Sequence, residues 1–140
     1  MPPQPNPVNQ MPALRVLIVD DAAGMRVYLR SILASAGYQC VEATDGGAAF
    51  DLLLKDRFDL VITDLNMPQM DGFALLSAIS LLPRSRGRPP VIVCSALLAS
   101  DEVQKRPELR LASVLLAKPV QPEDVLKAVA KARLAQAGCR

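Results

Sequence analysis

The chain has 140 residues, 51% of them hydrophobic, with 16 Lys and Arg against 14 Asp and Glu and no histidine. That length and apolar content suit one domain with one sizeable core, and a formal charge of +2 is too near balance to mark a nucleic-acid or membrane surface. The missing histidine excludes Ser-His and Cys-His nucleophile pairs, an imidazole general base and a histidine-bearing zinc site.

Residues 1–13 are proline-rich and poor in apolar side chains, so a disordered leader is expected there, with the folded unit over 14–137 and a short tail at 138–140. The leader lacks the basic start and apolar stretch of a signal peptide, and no run approaches bilayer length. Cys40, Cys94 and Cys139 form no C-x-x-C pair, and the first two lie in apolar runs, where cysteine behaves as a small core hydrophobe. A soluble protein in a reduced, cytoplasmic setting is the expectation, with no membrane and no direct nucleic-acid partner.

From residue 14 the pattern alternates. "LRVLIV" (14–19) is a continuous apolar run of buried-strand type. Met25, Tyr28, Leu29, Ile32, Leu33 and Ala36 then recur at helical spacing, and Gly37 stands where a helix C-cap belongs. "QCVEA" (39–43) predicts a strand, 47–56 a helix, "FDLVIT" (58–63) a strand and 72–82 a helix. "VIVCS" (91–95) and "SVLLA" (113–117) add two strands. Between them a helix is expected near 101–110, although Pro107 interrupts its pattern. The last helix covers 122–137, with Pro122 in its first turn and Glu123 and Asp124 complementing the N-terminal dipole. Five strands alternating with helices predict a doubly wound α/β fold, a parallel sheet covered on both faces by right-handed crossovers.

In such sheets ligands bind beyond the carboxyl ends of the strands. Those ends carry Asp20 and Asp21 after the first strand, Asp64 after the third, Ser95 at the end of the fourth and Lys118 after the fifth. Carboxylates crowded together repel, and protonation, a nearby cation such as Lys118 or a bound metal relieves them. All-oxygen ligands select a hard cation, and Mg²⁺ is the economical choice. A metal, a lysine and a hydroxyl around one carboxylate make a set suited to phosphoryl transfer, with Asp64 as nucleophile.

"VDD" (19–21), "DLNMPQMDG" (64–72), "SA" (95–96) and "KP" (118–119), each after its own strand, resemble the response-regulator receiver domain over residues 14–137. The resemblance implies a flavodoxin-like five-stranded sheet in the order 2-1-3-4-5. It also implies phosphorylation of Asp64, with Asp21, Asp64 and the main-chain carbonyl of Asn66 ligating Mg²⁺ and Asp20 acting mainly through metal-bound water. Lys118 would pair with Asp64 and then with the phosphoryl group, while Ser95 would turn to contact a phosphoryl oxygen. Pro119 would shape the following turn, with a cis bond open to it, and Pro68 and Gly72 would shape the loop between the site and the next helix.

Two positions depart from the family's usual pattern. Leu115 stands where a switching Tyr or Phe is customary, three residues before the lysine, and reads as an ordinary strand residue. Leu97 stands where a small or polar residue is frequent, so slower loss of the phosphoryl group is the expectation. The arginines of "PRSRGRPP" (83–90) read as a solvated basic loop.

The leading expectation is a stand-alone phosphoacceptor in a two-component phosphorelay. A histidine kinase or histidine phosphotransfer protein donates the phosphoryl group, and the altered surface, in the region of 97–137, binds a downstream protein, with a homodimer left open. Self-phosphorylation and autodephosphorylation would be its only catalysis. A haloacid-dehalogenase-type phosphohydrolase is disfavoured, because it wants a second aspartate two residues after the nucleophile, where this chain has Asn66 after Asp64 and Ala22 after Asp20. A receiver that is never phosphorylated would need some defect other than its site residues.

Overall fold

The structure is a computed structural model and describes residues 13–138. Residues 1–12 of the leader expected over 1–13, and the last two residues of the expected tail, lie outside the described residues. The elements run β1 (Arg15–Val19), α1 (Ala23–Ser35), β2 (Gln39–Ala43), α2 (Gly46–Lys55), β3 (Leu60–Thr63), α3 (Gly72–Ser80), β4 (Val91–Ser95), α4 (Asp101–Gln104), β5 (Val114–Ala117) and α5 (Pro122–Gly138). Single 3₁₀ turns cover Arg84–Arg86, Ala96–Ala99 and Pro107–Leu111.

All strand pairs are parallel, in the order β2-β1-β3-β4-β5. The three central strands are almost wholly buried, so they carry no polar face and read in sequence as unbroken apolar runs. Alternate residues feed two separate cores. Val16, Ile18, Leu60, Ile62, Ile92 and Cys94 pack with Leu29 and Leu33 of α1 and Val125, Val129 and Ala132 of α5. Leu17, Val19, Val61 and Val93 pack on the opposite face with Ala49 and Leu53 of α2 and Leu75, Leu76 and Ile79 of α3.

Local chemistry sets most helix ends. Gly37 follows α1 with φ 94°, the left-handed conformation that glycine adopts without a Cβ penalty. The Asp45 and Asp71 carboxylates cap α2 and α3 by accepting the amides of Ala48 at 2.8 Å and Ala74 at 2.9 Å. Phe58 and Asp59 precede β3 rather than belonging to it.

The segment after β4 departs most from the helix expected near 101–110. α4 is a single turn capped by Ser100, and the chain resumes as a 3₁₀ turn at Pro107, whose ring cannot continue an α-helix. Tertiary contacts hold the broken segment: the Gln104 amide donates to the Leu98 carbonyl at 2.5 Å, and the Arg106 guanidinium lies 3.8 Å from the centroid of the Phe73 ring.

Candidate functional site

β1 and β3 are neighbours, and strand order reverses at β1, so their carboxyl ends open onto the crevice where doubly wound sheets bind ligands. Asp20 and Asp64 are the first residues beyond those two ends. Asp20 is 2% exposed and Asp64 9%, whereas Asp21 faces solvent. One carboxylate oxygen from each of Asp20, Asp21 and Asp64 lies within 4.8 Å of the others. Among the described residues this is a set of three acids close enough to share a cation.

Lys118, the first residue beyond β5, reaches across the rim. Its Nζ donates to Asp20 Oδ2 and to Asp64 Oδ2, each at 2.8 Å. Burial favours the neutral amine, but the hydrogen bonds and charges of Asp20 and Asp64 outweigh it and raise the Lys118 pKa above its ordinary value. Burial likewise pushes the Asp64 carboxyl up. Hydrogen bonds from Lys118 and Ser95, the lysine charge and the Leu65 amide win, and hold Asp64 below the usual carboxylate range. Asp64 is therefore an ionised carboxylate throughout the neutral range and needs no general base.

The remaining oxygens are held by backbone. Asp64 Oδ1 accepts the Leu65 amide at 2.6 Å, and the amide of Asn66 lies 3.4 Å away. Asp20 Oδ1 accepts the Ala22 amide at 2.9 Å. The Ser95 hydroxyl, 1% exposed, also accepts the Leu97 amide at 3.2 Å and so caps the 3₁₀ turn behind it. The Lys118–Pro119 peptide is cis. Beside Lys118 an apolar hollow is lined by Met25, Tyr28, Ala96, Pro119 and Val120.

Asp20, Asp21, Asp64, Ser95 and Lys118 thus meet at one rim as the strand ends foretold. Asn66 sits exposed two residues beyond Asp64, in the loop. Gly72 closes that loop: its amide donates to the Leu65 carbonyl at 3.0 Å, and a Cβ there would overlap the Asp64 carbonyl oxygen and stand 2.7 Å from Leu65 Cα. Only glycine lets α3 start this close to the strand end.

Three supports escaped the sequence reading. The Thr63 hydroxyl donates to the Asp64 carbonyl at 2.8 Å; a lone hydroxyl in an apolar strand was its signal. Gly46 lies so close to the loop that a Cβ would overlap the Met70 carbonyl oxygen, to which the Gly46 amide donates at 2.9 Å. Arg26 donates to the Asp20 carbonyl at 2.8 Å and to Glu42 at 3.0 Å. Neither of the last two leaves a mark in the hydrophobic pattern, because Gly46 meets Met70 of a distant loop and Arg26 is aimed by Glu42 of β2.

Fold and rim together define a doubly wound α/β domain with an acid and lysine site at the carboxyl ends of its strands. The profile of the family described as response regulator receiver domain matches residues 16–130. The chain is 34% identical over 117 residues to sporulation initiation phosphotransferase F of Bacillus subtilis, covering 84% of this chain and 91% of that protein. It is 37% identical over 132 residues to sensor histidine kinase RcsC of Escherichia coli, covering 87% of this chain but only 13% of that much longer protein. Among solved structures, chemotaxis response regulator CheY4 of Vibrio cholerae superposes with a TM-score of 0.76 at 31% identity, covering 86% of this chain and 99% of that one. The chain belongs to the response regulator receiver domain family of two-component signalling, whose members take phosphoryl groups from histidine kinases. Among the described residues no helix is long and apolar enough to cross a membrane.

Proposed function

We propose that Asp64 is the phosphoryl acceptor of this receiver. The observation that carries the reading is the double contact of Lys118 Nζ with Asp20 and Asp64, which keeps a buried carboxylate ionised and places a cation where phosphoryl charge would arrive. In the transfer an Asp64 oxygen forms a bond to phosphorus as the bond from phosphorus to the donor nitrogen breaks, and that nitrogen keeps the electron pair. Lys118 then exchanges a carboxylate contact for a phosphoryl oxygen. Ser95 turns its hydroxyl from Asp64 and the Leu97 amide towards the same group.

An all-oxygen set of three carboxylates fits Mg²⁺, with Asp21, Asp64 and the Asn66 carbonyl as ligands and Asp20 acting through water. When bound, Mg²⁺ supplies charge neutralisation for the transferring oxygens. Catalysis ends with self-phosphorylation and self-dephosphorylation, and turnover of external esters has no acid–base aspartate to support it. The donor is a phosphohistidine of a kinase or phosphotransfer protein, and the surface around residues 97–137 meets a downstream protein. Leu115 is 40% exposed on β5, so this surface lacks an aromatic ring at that place, and an apolar Leu97 near the reacting group slows water attack on the acyl phosphate.

Intact-mass measurement after incubation with Mg²⁺ and acetyl phosphate tests the reading. The protein should gain one phosphoryl group, and the gain should vanish in Asp64→Asn and in EDTA. A wild-type mass that stays unchanged, together with no binding of beryllofluoride, would overturn it.

A further inference from the structure

The peptide joining Asp20 to Asp21 is the hinge on which the exposed carboxylate of Asp21 hangs. Asp20 itself is pinned at every oxygen: Oδ2 by Lys118, Oδ1 by the Ala22 amide and the main-chain carbonyl by Arg26. The last contact comes from a side chain that is only 16% exposed. Arg26 spends two edges of its guanidinium at once, Nε on Glu42 Oε1 at 3.0 Å and an Nη on the Asp20 carbonyl at 2.8 Å. Glu42 is fixed in turn, because its other oxygen accepts from Arg30 Nε at 2.7 Å, one helical turn further along α1. Arg30 also donates to the Cys40 carbonyl at 3.1 Å. A chain of contacts thus runs from β2 through two arginines of α1 to the peptide between two of the three rim acids.

We infer that Arg26, braced by Glu42, is a positioning residue that orients the Asp20–Asp21 peptide and so sets the affinity of the rim for a divalent cation. The inference rests on the reading of the rim as a cation and phosphoacceptor site. Arg26 touches no reacting atom in this arrangement; it acts through the backbone. Its own positive charge opposes cation binding, and that conflict gives the test its power. Through the field alone, removing Arg26 would tighten Mg²⁺ and removing Glu42 would weaken it. Through the peptide, removing either weakens Mg²⁺, since a guanidinium without its carboxylate brace no longer holds the carbonyl.

The experiment is an Mg²⁺ titration followed by amide proton–nitrogen NMR on wild type, Arg26→Ala, Arg26→Lys and Glu42→Ala. Thermal unfolding in EDTA verifies that each variant is folded. Arg26→Ala should bind Mg²⁺ roughly tenfold more weakly, the range seen when groups that orient metal ligands are removed. Arg26→Lys should weaken it nearly as much, because one ammonium cannot span both acceptors although the charge is kept. Glu42→Ala should weaken it in the same direction. Before any metal is added, the Asp21 and Ala22 amides of Arg26→Ala should have moved while core resonances stay in place. A tightened or unchanged affinity in Arg26→Ala, with wild type binding normally, would overturn the inference and leave the site reading intact. A wild type that binds no Mg²⁺ at all would overturn both.

Discussion

Lys118→Met removes the ammonium that bridges Asp20 and Asp64 while keeping most of the side chain's length. Each contact is 2.8 Å long, worth about 6 kcal/mol of gross attraction at an effective dielectric of ~20. Desolvation of the three groups offsets much of that, and truncating one partner of a buried ion pair costs about 3–5 kcal/mol in practice. The lysine side chain is 20% exposed, and solvent screening sets the loss at the lower end, about 3 kcal/mol. At about 4 °C per kcal/mol for a domain of this size, the unfolding temperature in EDTA at pH 7 should fall by roughly 12 °C. Two further signs identify the cause. Without the lysine the two carboxylates repel and acid relieves them by protonation, so the deficit should be largest at neutral pH and shrink as the pH is lowered. Mg²⁺ at a hundredfold excess over the variant's dissociation constant should return about 2.7 kcal/mol to the variant, and less to wild type at the same concentration, because no ammonium competes for the variant's carboxylates. Differential scanning calorimetry across pH with and without Mg²⁺ reads all three. An unfolding temperature unchanged in EDTA would refute the reasoning, and so would a fall that neither acid nor Mg²⁺ recovers.

Gly72→Ala sets a methyl against the Asp64 carbonyl oxygen, and urea unfolding should show a loss of about 2–3 kcal/mol, the upper range for forced overpacking. Asp64 has a folded pKa below its ordinary value of 3.8; its contribution is therefore fully present above that value and lost as pH falls through the lower folded one, and Asp64→Asn should flatten this acid limb of the stability curve. Cys94 is 1% exposed and burial lifts its thiol to about 11, so peptide mapping after iodoacetamide treatment of native protein at pH 8 should find it unmodified, with labelling appearing only on unfolding.

The site was legible where chemistry and position coincide. Asp20, Asp64 and Lys118 each break an apolar run at the residue where the strand stops, and in a parallel sheet all such breaks face one rim. The strand order came from family resemblance, since hydrophobic periodicity places a strand on a face but says nothing of its neighbours. Residues 97–112 resisted because their conformation is decided largely at a distance: Pro107 forbids the helix, but the stacking of Arg106 on Phe73 and the burial of Leu98 and Leu109 in the core beside α3 say where the broken pieces lie. Gly46 and Arg26 resisted for the same reason, as their roles depend on Met70 and on Glu42 of β2. Terminal residues of β3 and α3 moved by up to two positions from expectation, which is ordinary fraying of an apolar pattern at its ends.

The four strand ends that form the rim are not equally firm. β1, β3 and β4 are buried along nearly their whole length, but β5 lies at the sheet's edge with Leu115 and Ala117 open to solvent. Local opening is cheapest where few apolar contacts must be broken, so deuterium should reach the amides of β5 well before those of β3. The acids therefore stand on a floor and their counter-ion on a flap. The α5 helix begins four residues beyond Lys118, but its Val125, Val129 and Ala132 are packed against the buried strands, so the flap is short: it runs from β5 to the turn before α5.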